Sequence, residues 1–344
     1  MAKTLRPGLT GEYFAHPLDR SGMQWLMNRL ATSETARNQF ESLQVDAEDQ
    51  FYLLNLADNT RLSEFQGGSV FRLVQEIAEI LNMPIPHVFL NTTSEINACA
   101  LGGKNPSIVL TSALVDSFPE PALRAVIGHE LGHIICRHTF YRLLAENFDS
   151  ISNLVSLIPI IGSVLSAGMR WPLFDWYRKS ELSADRAALL GTQDLDAVEE
   201  CILRLAGGSS RLASELKIPE FAKQAKEFQE RMKAKREQGL QNRLEFLFSS
   251  FMLQHAMSTH PWPAVRLQEI IKWAESGQYA LLVAGDYEGS LAVAPLSTTE
   301  VQIADVPPAG EDITEYVKDL GKAGRELLKG FFNRVSQPED PDKK

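Results

Sequence analysis

The stretch Ala125-Val126-Ile127-Gly128-His129-Glu130-Leu131-Gly132-His133 reads H-E-x-x-H inside an apolar run. On a helix, residues four apart lie roughly 40° apart around the axis, so the imidazoles of His129 and His133 reach one point from one face. Glu130 is turned aside but stays close enough to reach a water held at that point. Two neutral nitrogen ligands and a carboxylate base form the kernel of a zinc hydrolase. Gly132, between the ligands, costs a helix roughly 1 kcal/mol, which predicts a compensating close approach by another segment of the chain.

Around this motif the pattern alternates between short strands and helices. Upstream, His87–Asn91, Ile96–Leu101 and Ser107–Thr111 read as strands, the last two separated by the turn composition Gly102-Gly103-Lys104-Asn105-Pro106. Ser107–Thr111 has two readings: a core strand, or an edge strand that pairs with an extended peptide beside the metal. Ser117-Phe118-Pro119-Glu120 has the spacing of a capping box, so the motif helix is expected to start there and run to about Asn147. Further helices are expected over 17–45, from Ser69 as cap to about Asn82, and over 176–190, 196–206, 219–245 and 264–275.

A catalytic zinc needs a third protein ligand and an open position. His138, five residues after His133, would sit about 140° further round a continuous helix and face away, as a surface or supporting histidine. A metzincin arrangement fails, because position 136 is Cys and position 139 is Thr. Glu181 and Asp185, four apart, share a helical face, and such a carboxylate pair asks for a cation nearby. Glu181 is therefore read as the third ligand, and Asp185 as accepting a hydrogen bond from the free ring nitrogen of a ligating histidine. The competing reading is a surface helix with Arg178, Lys179 and Arg186 as salt partners. His260, held extended before Pro261, has the backbone of a residue that points into a cleft, and Arg266 follows in the next helix.

Composition excludes some classes. A net charge of −10 over 344 residues speaks against nucleic acid as a partner, since no basic stripe is available. Three widely spaced cysteines, Cys99, Cys136 and Cys201, make no disulfide framework and suit a reducing compartment. No apolar run follows the charges of the first eight residues, so a cytoplasmic and not a secreted chain is expected. Ser150–Met169 is uncharged and near the length of a span, but Asn153, Pro159 and Gly162 make it a better candidate for membrane contact through an interfacial hairpin.

Taken together, His129-Glu130-Leu131-Gly132-His133, Glu181-Leu182-Ser183-Ala184-Asp185 and Thr259-His260-Pro261 with Arg266 resemble the zinc metallopeptidases related to HtpX and the CAAX prenyl proteases. Ile96-Asn97-Ala98 and Ile108-Val109-Leu110-Thr111-Ser112-Ala113-Leu114 resemble that family's stretch before the metal helix, so the similarity spans about 69–275. The resemblance implies a mainly helical α+β gluzincin fold, with a small β-sheet beside the metal-binding helix, and endopeptidase activity on protein or peptide substrates. It implies one Zn2+ per chain on His129, His133 and Glu181, with Glu130 as base and Asp185 behind the ligands. His260 would be an oxyanion donor or a resting fourth ligand, and Arg266 would support its turn. The expected organisation is an N-terminal helical region (1–65), a zinc metallopeptidase domain (66–284), and a linker, amphipathic helix and disordered tail (285–344). A zinc-stabilised chaperone-like module that holds clients without cutting them is the alternative.

Overall fold

The structure is a computed structural model and describes residues 2–30, 34–103, 105–146, 170–207, 211–212, 215–237 and 262–293. In chain order its elements are α1 (Gly11–Phe14), α2 (Pro17–Leu30), α3 (Glu34–Asp58), β1 (Thr60–Leu62), α4 (Gly68–Ile80), β2 (His87–Asn91), β3 (Ala98–Leu101), β4 (Ser107–Thr111), α5 (Ser112–Ser117), α6 (Glu120–Ile135), α7 (Thr139–Glu146), α8 (Arg170–Thr192), α9 (Leu195–Leu205), α10 (Ile218–Glu237), α11 (Pro263–Glu275), α12 (Gln278–Ala284) and α13 (Tyr287–Leu291). It is a mainly helical α+β fold with one small sheet among the described residues, as the sequence implied.

The sheet has the order β1-β2-β4-β3. β2 and β4 run parallel, with His87 opposite Ser107 and Asn91 opposite Thr111, while β1 and β3 are antiparallel to their neighbours. All five residues of β4 are buried. An apolar run covered on both faces is the pattern of an interior strand. The edge-strand reading of Ser107–Thr111 is therefore corrected: its backbone is already bonded on both sides, to β2 and to β3, and cannot pair with a peptide. The strands with one unpaired side among the described residues are β1 and β3.

α6 is buried nearly all round, from Ala122 to Ile134. Its main neighbour is α8, and the two approach closely through small residues. A Cβ on Gly132 would stand 2.5 Å from Ala187 Cβ and 3.1 Å from Ala184 Cα, and one on Gly128 would stand 2.9 Å from Ala188 Cα. This is the close approach that Gly132 predicted. Glycine forgoes helix propensity here because any side chain would separate the two backbones.

Three expected helix ends are corrected. Ser117 is the last residue of α5, not a cap. α6 starts after Pro119, whose fixed φ suits the position but which has no side chain to cap with. Nor does the motif helix continue to Asn147. It ends at Ile135, with Arg137 in the left-handed region at φ 59°. His138 N–H then bonds the His133 carbonyl (2.9 Å) and Arg137 N–H bonds the Ile134 carbonyl (3.1 Å). That is a Schellman closure, with arginine where glycine is usual. At α4 the capping position is Gly67, also left-handed, and not Ser69.

The N-terminal residues pack into the same body. Leu5 and Phe14 are buried in the main core alongside Ile77, Ile127 and Leu131. α2 lies across α8, where Leu26 joins Leu173, Trp176 and Tyr177 in a second cluster. Ser150–Met169, the basis of the expected membrane contact, lies outside the described residues, as do His260 and the region from 294 onward. Among the described residues no helix is long and apolar enough to cross a membrane.

Candidate metal centre

Three side chains from two helices converge between α6 and α8. His129 Nε2 is 3.1 Å from His133 Nε2, 3.4 Å separate His129 Nε2 from Glu181 Oε2, and 3.3 Å separate His133 Nε2 from Glu181 Oε1. A tetrahedral ion with bonds of about 2.0–2.1 Å spaces its ligand atoms about 3.3–3.4 Å apart, so this triangle has the size of one face of such a shell. All three residues are buried, and they are the group among the described residues able to hold a metal ion. Two imidazole nitrogens and a carboxylate oxygen form a zinc-type donor set.

The opposite ring nitrogens show which atoms are left for a metal. His129 Nδ1 lies 3.0 Å from Asp185 Oδ1, and His133 Nδ1 lies 3.0 Å from His138 Nδ1. If each Nδ1 carries a proton, both Nε2 lone pairs face the shared point, an arrangement that is repulsive until a cation lies there. Electrostatics separates the two rings. Burial disfavours charge on His129, but Glu181 and Asp185 outweigh it and raise its pKa to about 9. Burial and the nearby Arg142 guanidinium hold His133 well below the ordinary range, so it stands neutral.

Glu130 is buried beside the triangle, and its Oε2 has no hydrogen-bond partner among the described residues. An orphaned buried carboxylate oxygen is costly unless a ligand or water completes it. A cavity of about 340 Å³ opens there, lined by Asn97, His129, Glu130, Arg142, Glu181 and Trp262, among others.

Comparison with known proteins agrees with this geometry. Residues 65–274 match the model of peptidase family M48. The chain belongs to peptidase family M48. It is 28% identical over 281 residues to the plastoglobule-localized metallopeptidase 48, chloroplastic, of Arabidopsis thaliana, covering 80% of this chain and 76% of that protein. It is 33% identical over 100 residues to a protease HtpX homolog of Trichormus variabilis, which is 28% of this chain and 35% of the relative. A protease HtpX homolog of Streptococcus agalactiae is 27% identical over 113 residues, or 32% of this chain and 37% of the relative. No solved structure matches the chain. The resemblance to HtpX-like metallopeptidases is thus borne out. As an M48 member the chain is a metalloprotease, a metal-dependent hydrolase acting on protein or peptide substrates.

Within this M48 protease the structure brings together most of the residues singled out from the sequence. Asp185 meets His129, as expected. The guanidinium of Arg266 grips Asp185, with Nε to Oδ2 at 2.9 Å and Nη2 to Oδ1 at 2.6 Å, while the turn at Thr259–Pro261 that it was expected to support lies outside the described residues. Burial opposes ionisation of Asp185, but Arg266 holds its carboxyl below the usual range. The surface-helix reading of α8 is overturned. Among the described residues Arg178 and Lys179 pair with Asp175, and Arg186 donates to the Phe14 carbonyl.

His138 does not face away from the motif, because the helix has already ended; it turns back onto His133. Two residues escaped the sequence reading altogether. Arg142 places Nη2 3.6 Å from Glu181 Oε1 and Nη1 4.0 Å from Glu130 Oε2, and donates to Tyr177 Oη at 2.8 Å. Asp19 accepts from His138 Nε2 at 2.9 Å. No local signal marks either residue. Asp19 is one of 44 acidic residues and stands in no motif.

Proposed function

We propose that this M48 protease is a zinc-dependent endopeptidase in which His129, His133 and Glu181 hold one zinc ion and Glu130 is the general base. The supporting observation is the triangle of three donor atoms with tetrahedral-edge spacings beside a buried, unsatisfied carboxylate oxygen. Zinc, when bound, polarises the scissile carbonyl and lowers the pKa of the attacking water towards ~7. Glu130 accepts the proton of that water and delivers it to the departing amine. Asp185 accepts from His129 Nδ1–H and keeps Nε2 free for the metal, and Arg266 holds Asp185 ionised. His260 is proposed as an oxyanion donor or resting fourth ligand; its removal is expected to leave residual activity.

The substrate is proposed to lie extended along β3, not along Ser107–Thr111. Ile96, Asn97 and Ala98 line the same cavity as His129 and Glu130, and β3 is bonded on one side only among the described residues. Glu130→Gln tests the assignment. The variant is expected to bind zinc like the wild type and to cleave an unfolded protein such as casein at least ~10²–10⁴-fold more slowly. Cleavage at the wild-type rate would remove Glu130 from the mechanism. A wild-type protein that holds unfolded clients without any turnover would favour the chaperone-like alternative.

A further inference from the structure

Behind His133 runs a hydrogen-bonded line that leaves the motif region entirely. His133 Nδ1 meets His138 Nδ1 at 3.0 Å, and His138 Nε2 meets Asp19 Oδ2 at 2.9 Å. Asp19 also accepts from Ser183 Oγ at 2.5 Å and from Trp176 Nε1 at 2.9 Å. Ser183 Oγ in turn accepts the His16 backbone N–H at 2.9 Å. His133, His138 and Asp19 are all buried. Asp19 sits in α2, ahead of the residues that match the family model.

The chemistry of this line runs one way. An ionised carboxylate only accepts, so His138 Nε2 must be the donor to Asp19. A neutral His138 then has a bare Nδ1, which can only accept, so His133 Nδ1 must carry the proton. That leaves His133 Nε2 with its lone pair on the side of Glu181 and His129. One buried carboxylate thereby sets the protonation of four ring nitrogens in succession, and two hydrogen bonds fix the planes of both rings.

We propose that Asp19 and His138 are positioning residues for the metal, and that the N-terminal segment carrying Asp19 is a working part of the centre through this relay to His133. The proposal rests on the zinc reading given above, and its test separates the two.

Zinc affinity is measured by chelator competition on the full-length protein and on Asp19→Asn, His138→Gln and the double variant. Wild-type protein that takes up no zinc would sink the site assignment itself. If wild type binds zinc, each single variant is expected to weaken binding about 10–100-fold, the usual effect of removing a partner behind a ligating histidine. The double variant is expected to bind no more weakly than the weaker single. Unchanged affinity in the singles, or losses that multiply in the double, would overturn the relay. Should the variants fail to fold, nitrogen-15 histidine NMR of zinc-loaded wild type still decides. His138 is expected as the Nε2–H tautomer and His133 as Nδ1–H; the reverse tautomer at His138 would overturn the proposal. A purely structural Asp19 would lower the melting temperature without moving zinc affinity or tautomer.

Discussion

Behind His129 stands a carboxylate, Asp185, gripped by Arg266 through two hydrogen bonds; behind His133 stands a second histidine, and only then a carboxylate, Asp19. The first support is a charged pair. The second is an anion whose donors are a histidine, a tryptophan and a serine. The Asp185 carboxyl lies below the usual range although burial opposes it, with Arg266 the main cause. The difference teaches that two histidines one helical turn apart can be held by different physics. A salt bridge fixes His129 and leaves its ring strongly basic, while neutral hydrogen bonds fix His133.

The largest effect expected from this contrast is on stability. Asp185→Asn removes the carboxylate charge that a buried arginine grips through two hydrogen bonds, and breaking a buried ion pair typically costs about 3–5 kcal/mol. Asp19→Asn leaves neutral donors short of one acceptor charge and is expected to cost less, about 1–3 kcal/mol. Chemical denaturation of the two metal-free variants checks the order; equal losses would erase the distinction between the two supports.

The seam that both supports share gives the next effect. Gly132→Ala places a methyl against Ala187 Cβ and the Ala184 backbone, atoms with no rotamer to move aside. Overpacking of about 1–3 kcal/mol should exceed the roughly 1 kcal/mol gained in helix propensity. A lower melting temperature and lower zinc occupancy are expected together, because the same shift carries Glu181 away from both rings. A variant as stable as wild type and fully loaded would show that the helices need not approach so closely.

The smallest effect is on pH dependence and separates the two rings directly. His129, with a pKa of about 9, is protonated at neutral pH, whereas His133 is already neutral. Zinc takes only the neutral imidazole, so binding must displace one proton, from His129. The apparent Kd is expected to tighten about tenfold per pH unit as pH rises towards 9 and to level off above it, with close to one proton released at pH 7. Calorimetry in buffers of different ionisation enthalpy counts that proton. Release of two would mean that both rings are charged and that Arg142 does not act on His133 as described.

Much of the centre is legible in the sequence. His129 with His133, and Glu181 with Asp185, are pairs four apart, and the pitch of a helix fixes what such pairs share wherever the helix lies. Gly132 likewise announced a close neighbour, since a glycine inside a buried helix needs a reason. The failures have equally definite causes. His138 was read on a helix that ends before it, because Arg137 occupies a left-handed position that usually announces itself as glycine. Ser107–Thr111 carried the same apolar pattern whether central or at an edge, and only its two bonded neighbours decide which it is.

The sequence by itself determined the pairs His129–His133 and Glu181–Asp185, the carboxylate of Glu130 beside them and the need for tight packing at Gly132, because each depends on spacing within one helix. Tertiary structure decided that Arg266 would grip Asp185, that Arg142 would stand beside Glu181 and Glu130, and that Asp19 would stand behind His138. These residues meet across 81, 39 and 119 positions of chain in the Arg266–Asp185, Arg142–Glu181 and His138–Asp19 contacts. Backbone geometry dictates no such distance; only the packing of α2, α6, α7, α8 and α11 around a common core brings these side chains together.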